Sequence, residues 1–213
     1  MASQTQQLEN PTPPTLGYPT EEYERRHFNE NNGSLTIYFK KLAAVLGSLF
    51  GPRGGRFMNN PYGAFQSTVD QTAAVANTAY AMTLNTVDYA NGVTISSNSR
   101  ITVADAGIWN LQWSGQFENP DSQDHDVRVF IKINGTVVTG STEFFAVASK
   151  HGSINGHGLV GWNYFVSLDA TDYVELWWET DNTQVTIQSY AAAGDYPSTA
   201  SLIATMTFVS NIT

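Results

Sequence analysis

The sequence predicts an all-β sandwich or barrel that is preceded by an extended arm and an amphipathic helix. Apolar and polar residues alternate over many short segments of residues 63–213. Clusters of turn-forming residues separate these segments at regular intervals, as in sandwiches and barrels. Charged residues make up only 14% of the chain, against about a quarter in an average globular domain. This composition favours a sheet-rich protein that neutral polar side chains keep in solution.

Residues 1–19 form the predicted extended arm. Pro11, Pro13, Pro14 and Pro19 fix φ at four positions and remove four backbone donors. Because such a segment buries little surface by itself, we expect it to be ordered only along a partner. The N-terminus also lacks the basic patch and apolar stretch of a secretory signal, so we expect the protein not to be exported by secretion.

Residues 20–51 are predicted to be helical. Thr20 followed by two glutamates fits an N-cap with acids in the first turn, which predicts a short helix over Glu21–Phe28. We expect Asn31-Asn32-Gly33 to break this helix. Ser34 can cap a second helix, and Gly51-Pro52 is expected to end it.

One face of the second predicted helix is apolar over an arc of about 140°, while Lys40, Lys41 and Ser48 lie outside it. Burying such a face is worth roughly 10–20 kcal/mol, so a partner is expected. Three partners are open: the chain's own sheet, the same helix in neighbouring subunits, or a foreign surface such as a membrane or a capsid groove. The apolar face, predicted to be an anchor or assembly interface, consists of Leu35, Tyr38, Phe39, Leu42, Val45, Leu46, Leu49 and Phe50.

Residues 52–62 form a predicted Gly/Pro linker, and strands are expected from Gly63 onward. Ile108–Phe117 alternates strictly, with Trp, Leu and Phe on one face and Asn, Gln and Ser on the other. Asn134-Gly135 after an alternating segment predicts a two-residue hairpin turn. Further strands are predicted over Gly161–Leu168, Tyr173–Glu179, Gln184–Tyr190 and Ser201–Ser210.

Six sequence blocks over residues 62–210 follow one another in an order that resembles the trimeric jelly roll of the complement globular head and tumour necrosis factor superfamily. The most specific block has the order apolar, Thr, Val, Ala, any residue, Ala-Gly, apolar, aromatic. The blocks are Tyr62–Phe65, Thr83–Val93, Ile101–Trp109, Phe130–Gly135, Ser167–Leu176 and Ser201–Val209.

The resemblance implies that residues 63–213 are a single jelly roll of about ten strands. It also implies a homotrimer that assembles through an aromatic-rich sheet face. Tyr164, Trp177, Trp178 and Tyr190 are the candidates for this trimer face. The alternative is that these four aromatics fill the core of their own subunit.

The chain departs from that family by having a proline arm and an amphipathic helix where a collagenous stalk or membrane anchor would be. This combination resembles small jelly-roll proteins of tailed bacteriophages, which serve as capsid decoration or as fibre and tail components. It implies a structural protein of the virion, made in the host cytoplasm, that cements major capsid or other virion proteins. The alternatives are a tail-fibre head that binds a receptor or host surface glycans, a hydrolytic surface enzyme and a cytokine-like ligand.

Candidate chemistry is sparse, and no enzymatic activity is expected. No serine lies in a Gly-x-Ser-x-Gly elbow. Residues 61–213 contain fourteen acidic and four basic side chains, which should repel nucleic acid, although plain solubility explains the charge equally well. No apolar run approaches the roughly 18 residues of a membrane span.

The only cofactor candidate is calcium, at Asp121, Asp124 and Asp126 in an acidic segment that supplies the oxygen ligands this ion prefers. The alternative is a solvated acidic loop. His151 and His157 lie in a glycine-rich segment that is predicted to be a surface loop, or else a metal site with a third ligand from elsewhere.

Overall fold

A computed structural model describes residues 11–18, 24–50 and 60–211 of the protein. The chain divides into two compact units, residues 1–59 and residues 60–213. The predicted N-cap at Thr20 and most of the predicted linker lie outside the described residues.

The first unit contains one continuous helix, α1, over Arg25–Phe50. The predicted break at Asn31-Asn32-Gly33 is therefore wrong. A break would leave four N–H and four C=O groups without helical partners, which costs more than the low helix propensity of asparagine and glycine. Ser34 does not cap a new helix, because its Oγ donates to the Glu30 carbonyl one turn back, at 3.0 Å.

Residues 11–18 have no regular secondary structure, and their C-terminal end contacts α1. The Gly17 N–H donates to Asn31 Oδ1 at 3.3 Å, and the Asn31 amide is also 3.2 Å from His27 Nε2. A Cβ at position 17 would lie only 2.5 Å from the His27 ring. The absence of a side chain at Gly17 thus allows the arm to approach the helix closely.

The second unit contains two antiparallel sheets of seven strands each within the described residues. Ten of these strands have four or more residues, and the other four have only two residues each. The first sheet contains β1 Tyr62–Ser67, β2 Gln71–Thr72, β4 Thr86–Asn91, β7 Gly107–Asn119, β11 Gly156–Leu168, β13 Thr186–Ile187 and β14 Leu202–Ser210. The second sheet contains β3 Tyr80–Ala81, β5 Val93–Ser96, β6 Arg100–Val103, β8 His125–Ile133, β9 Thr136–Val137, β10 Glu143–Val147 and β12 Tyr173–Thr180.

Strand β7 organises the first sheet. Strand β11 pairs with it along all thirteen residues of both strands, and β14 and β13 share its other edge. Beyond β14 the order continues through β1 to β4, while β2 pairs with β13. The second sheet has the order β10-β8-β12-β6-β5. Strand β11 is an edge strand, since no other strand of the described residues pairs with it.

One apolar core lies between the sheets, which makes the unit a β-sandwich. The inward residues of β7 include Trp109, Leu111 and Trp113, all buried, as the alternation predicts. The predicted hairpin turn is also confirmed, since Asn134 and Gly135 both have positive φ, at 49° and 80°.

Two predicted segments have different bounds in the structure. The predicted strand Gln184–Tyr190 shortens to β13, Thr186–Ile187. Gln188 still donates its N–H to the Gln116 carbonyl of β7, but the Ser189 N–H donates to the side chain of Asp70 instead of to a strand. Strand β11 begins at Gly156, so the C-terminal half of the glycine-rich segment is strand and not loop. A Cβ at Gly156 would lie 1.7 Å from the Ala148 carbonyl oxygen, so only glycine fits this start.

Candidate self-association surface

The outward face of the first sheet is built by five neighbouring strands. Because side chains alternate along a strand and cross-strand partners share a side, the register assigns each residue to a face. One row across the sheet contains Phe165, Asn110, Thr207, Tyr62 and Asn91, in the order β11, β7, β14, β1, β4. These side chains point away from the core, since the odd-numbered neighbours on β7 are buried.

We call this surface the neutral face. The members named below include no Asp, Glu, Lys, Arg or His, although the unit as a whole is strongly acidic. The next outward pair along β7 and β11, Glu118 and His157, is ionisable and bounds the face at one end. Carboxylates lie at its margins, where Asp88 accepts a hydrogen bond from Gln66 at 2.7 Å. The neutral face consists of Tyr62, Ala64, Gln66, Tyr89, Asn91, Asn110, Gln112, Ser114, Gln116, Leu159, Gly161, Asn163, Phe165, Ile203, Thr205 and Thr207.

Large apolar side chains protrude from the neutral face. Phe165 is 64% exposed, Leu159 is 74% exposed and Tyr89 is 71% exposed. Trp162 belongs by register to the side of Trp113, yet it is also exposed because β11 is the edge strand. Contiguous exposed apolar groups with a polar surround mark interaction surfaces.

The neutral face is not flat. A wide, very shallow depression at Gly161 is lined by Gln112, Trp113, Gly161, Trp162 and Asn163, of which Trp113 and Trp162 belong by register to the inward side. Because Gly161 has no side chain, the surface dips between the protruding side chains of the neighbouring outward positions on β11. A surface with both protrusions and a depression can be complementary to a copy of itself.

The four predicted trimer-face aromatics do not lie in the neutral face. Trp178 is 1% exposed and fills the core, because its position on β12 directs it inward. The prediction that Trp178 lies in the trimer face is therefore wrong. Tyr164 shares the side of Leu111 and packs against the core. Trp177 lies on the outward side of the second sheet, where Lys132 Nζ is 3.4 Å from its ring centroid. Tyr190 lies at the margin of the neutral face.

Sequence reasoning missed Phe165 and Leu159. The signal that could have found them is the polar face of β7, because a strand that pairs with Asn110 and Gln116 places its partners on the same outward side. The sequence of β11 alone, however, does not show that β7 is its pairing partner.

Tyr164 contacts a carboxyl group at the edge of the sandwich. Its hydroxyl donates to the Ser141 carbonyl at 2.6 Å and also contacts Glu143. Burial raises the pKa of Glu143, and the bond from Tyr164 opposes that effect only in part. Glu143 Oε2 is buried without a hydrogen-bond partner.

We expect Glu143→Gln to increase stability at pH 7.5, by up to about 1 kcal/mol, since the half-buried carboxylate is partly screened by solvent. The pKa of Glu143 is higher in the folded protein than its ordinary value of 4.5. Protonation of Glu143 therefore stabilises the fold; this stabilisation is complete below pH 4.5 and is lost as the pH rises through the folded-state pKa. Urea titrations at pH 4 and 7.5 measure the difference between variant and wild type. A variant that is less stable than wild type at pH 7.5 contradicts the assignment.

A small cluster of hydrogen-bonding side chains lies at the Tyr190 end of the neutral face. The Tyr190 hydroxyl donates to Glu118 Oε2 at 2.6 Å and is 3.0 Å from His157 Nδ1. Burial, followed by the bond to Glu118, raises the pKa of Tyr190. Asn155 donates to the other Glu118 oxygen at 2.7 Å. The adjoining pocket has a volume of about 290 Å³ and includes Leu159 in its lining.

Asp70 fixes the segment before Tyr190. Its Oδ1 accepts from the Ser189 N–H at 2.8 Å and from Ser189 Oγ at 2.7 Å, and its Oδ2 accepts from Gln188 at 2.9 Å. The Ser189 backbone bond is the main cause that lowers the pKa of Asp70.

We expect Asp70→Asn to lower stability at pH 7 by no more than about 1 kcal/mol, because these bonds lose their charged acceptor but Asp70 is exposed and solvent screens its charge. A depressed folded-state pKa gives stability that is present above the ordinary 3.8 and is lost as pH falls through the folded pKa. Thermal or urea unfolding at pH 7 and at pH 3 should show that the difference in stability between Asp70→Asn and wild type becomes smaller at pH 3. Asp105→Asn, at an exposed loop carboxylate, is the control; an equal loss in both variants contradicts the role of Asp70.

The predicted calcium ligands do not converge. Asp121 bonds to the Ser122 N–H at 2.6 Å and to His125 Nε2 at 2.9 Å, and the bond from His125 is the main cause that lowers the pKa of Asp121. Asp124 accepts from the Ser149 N–H at 2.7 Å. In the described parts of the chain, no three His, Cys, Asp or Glu side chains are placed to hold a metal ion. The Asp121, Asp124 and Asp126 site is therefore not formed, and the same holds for a site at His151 and His157.

Comparison of the sequence with models of protein families and with curated proteins found no match. Within residues 11–18, 24–50 and 60–211, no helix combines the length and apolarity needed to cross a bilayer.

Proposed function

We propose that the chain is a non-enzymatic structural subunit that self-associates through the neutral face as a jelly-roll homotrimer and decorates or cements a bacteriophage capsid. The observation that supports self-association is the neutral face itself, with protruding Phe165 and Leu159 beside the depression at Gly161. Exposed apolar groups of this size are costly to leave in water.

Charge favours a second copy as the partner. The β unit is strongly acidic, so two copies repel each other wherever their carboxylates meet. At the neutral face this repulsion is absent, and Asn, Gln, Ser and Thr side chains supply both donors and acceptors. Neutral polar groups are also far cheaper to desolvate than charges. Depletion of charged side chains is the usual signature of an interface core.

The virion role is supported by the combination that the sequence resembles: a proline arm and an apolar helix face ahead of a β-sandwich. Three N-terminal units on one trimeric hub would bind neighbouring coat subunits together, so weak single contacts would give tight attachment. The partners in this proposal are major capsid or other virion proteins, and the subunit is made in the host cytoplasm.

The second candidate function is a receptor- or glycan-binding head of a tail fibre. The pocket beside Tyr190 favours it, because the Tyr190 ring, His157 and Gln116 line it and offer stacking and hydrogen bonds to sugar hydroxyls. The test is glycan binding by wild type and by Tyr190→Ala. Glycan binding that is selective in wild type and lost in Tyr190→Ala, while incorporation of the variant into particles is unchanged, would favour this function over cementing.

Light scattering of the full chain tests the self-association directly. We expect a mass of about 70 kDa, three times the 23.3 kDa of the chain. A purified protein that stays at the mass of one chain at all accessible concentrations contradicts the proposal.

Removing residues 1–59 tests the attachment role of the first unit. We expect the remaining β unit to keep its fold and its oligomeric mass, because its core is formed within residues 60–213. We expect its incorporation into particles to fall to background. The measurement is quantitative gel analysis of purified particles after complementation with either chain, and unimpaired incorporation of the truncated chain contradicts the role.

A further inference from the structure

The apolar residues of α1 follow a heptad spacing. Leu35, Leu42 and Leu49 recur every seven residues, and Tyr38 and Val45 lie three residues after the first two of them. The resulting steps of three and four residues are the spacing of a and d positions in coiled coils. In this register Phe39 and Leu46 take the e positions. Lys40 at f lies away from the a/d seam, whereas Lys41 at g flanks it.

This face is unpartnered within the described residues of α1, none of which is buried. Phe39 is 58% exposed and Leu46 is 43% exposed, both at e positions beside the seam. In folded proteins, a helix gains most of its stability from packing its apolar face against a partner. The seam therefore requires a partner.

We infer that α1 of three copies packs into a parallel coiled coil over Leu35–Leu49. All three a positions are leucine, and of the two d positions Val45 is β-branched and Tyr38 is aromatic. Leucine at a with a β-branched residue at d favours three or four strands over two. Apolar e positions widen the face, which suits a bundle in which each helix contacts two neighbours. A cyclic trimer gives all three helices the same direction, which is the parallel arrangement.

The arm defines where the bundle starts. Asn31 lies at the d position one heptad before Tyr38, but its amide is held by Gly17 and His27. The arm thus occupies the first turns of α1, and the free seam begins at Leu35. From there to Leu49 the helix rises about 21 Å.

This inference rests on the proposed trimer. Two heptads are too short for a stable coiled coil by themselves. Joined to a trimeric hub, however, the three helices have an effective concentration in the millimolar range, so weak helix contacts suffice. The bundle would direct three arms outward from one axis.

The absence of cysteine from the chain allows a direct test. Val45→Cys places a thiol at a d position, and Lys40→Cys places one at an f position as the matched control. A disulfide requires Cα atoms within about 7 Å, so Val45→Cys should form covalent dimers about tenfold faster than Lys40→Cys under mild oxidation. Cross-linking through one position also requires parallel helices in register. Circular dichroism verifies that both full-length variants are folded.

Light scattering on the same samples separates the two proposals. A trimeric mass with selective Val45→Cys cross-linking supports the coiled coil. A trimeric mass with equal, slow cross-linking of both variants overturns the coiled coil and leaves the proposed trimer intact. A monomeric mass overturns the proposed trimer and the coiled coil together. Co-sedimentation of the full chain with phosphatidylcholine–phosphatidylserine vesicles, without Val45→Cys cross-linking, overturns the inference in favour of a membrane surface.

Discussion

Phe165→Asp is expected to convert the self-associated protein into monomers, with a dissociation constant raised at least about 100-fold. Phe165 protrudes from the neutral face in a row with Asn110 and Thr207, where no cation is present to pair with a new carboxylate. Burying an unpaired carboxylate costs several kcal/mol, and about 3 kcal/mol already corresponds to a factor of 100. Sedimentation equilibrium or light scattering over a dilution series measures the change.

Phe144→Asp is the matched control, since Phe144 is 60% exposed on β10 of the other sheet. It introduces the same charge at a similar exposure but away from the neutral face. We expect its mass distribution to equal that of the wild type. If both variants dissociate, or neither does, the neutral face is not the interface and the proposed function loses its main support.

Trp178→Ala is expected to destabilise the β unit by about 3–5 kcal/mol, the usual loss for a buried large aromatic. The Trp178 ring lies fully in the core and contacts Phe117 edge-to-face at 6.1 Å between ring centroids. Trp177→Ala removes the neighbouring ring from the outward side, where its main contact is Lys132. Its loss should be clearly smaller than that of Trp178→Ala, because the Trp177 ring is only half-buried on the outward side and its removal leaves no cavity in the core.

Chemical denaturation of the two tryptophan variants measures this difference directly. The pair is informative because sequence reasoning grouped both residues as trimer-face candidates, whereas the structure separates them to opposite sides of β12. Equal destabilisation by the two substitutions would mean that the side assignment of β12 is wrong.

The sheet elements with one buried face were predictable from sequence. Strand β7 alternates without interruption, and Asn134-Gly135 specifies a tight turn by its backbone preferences alone. Both patterns depend only on neighbouring residues in the sequence, so they predict the strand and the turn without knowledge of the partner strand. The helix was predictable for the same reason, but not its continuity through Gly33, because propensity is a weak term that a continuous ladder of helical hydrogen bonds outweighs.

The candidate surface was not predictable in the same way. Strand β11 contains apolar residues at both outward and inward positions, such as Phe165 and Val166, so its pattern does not distinguish core from surface. The register against β7 decides that question, and register is a tertiary property. The calcium hypothesis failed for a related reason: composition placed carboxylates in one segment, but His125 and the Ser149 N–H use their oxygens separately.

The edge position of β11 has a consequence for the free subunit. A strand of thirteen residues whose outer side pairs with no described strand presents a row of unused amide and carbonyl groups, and such a row is a template for adding strands from other molecules. Charged side chains usually deter this, but β11 has only His157 among its ionisable residues apart from tyrosine. At high concentration, subunits are therefore expected to add slowly to one another through this edge, strand to strand. Such edge pairing is a separate process from association through the neutral face, which lies on the outward side of the same sheet.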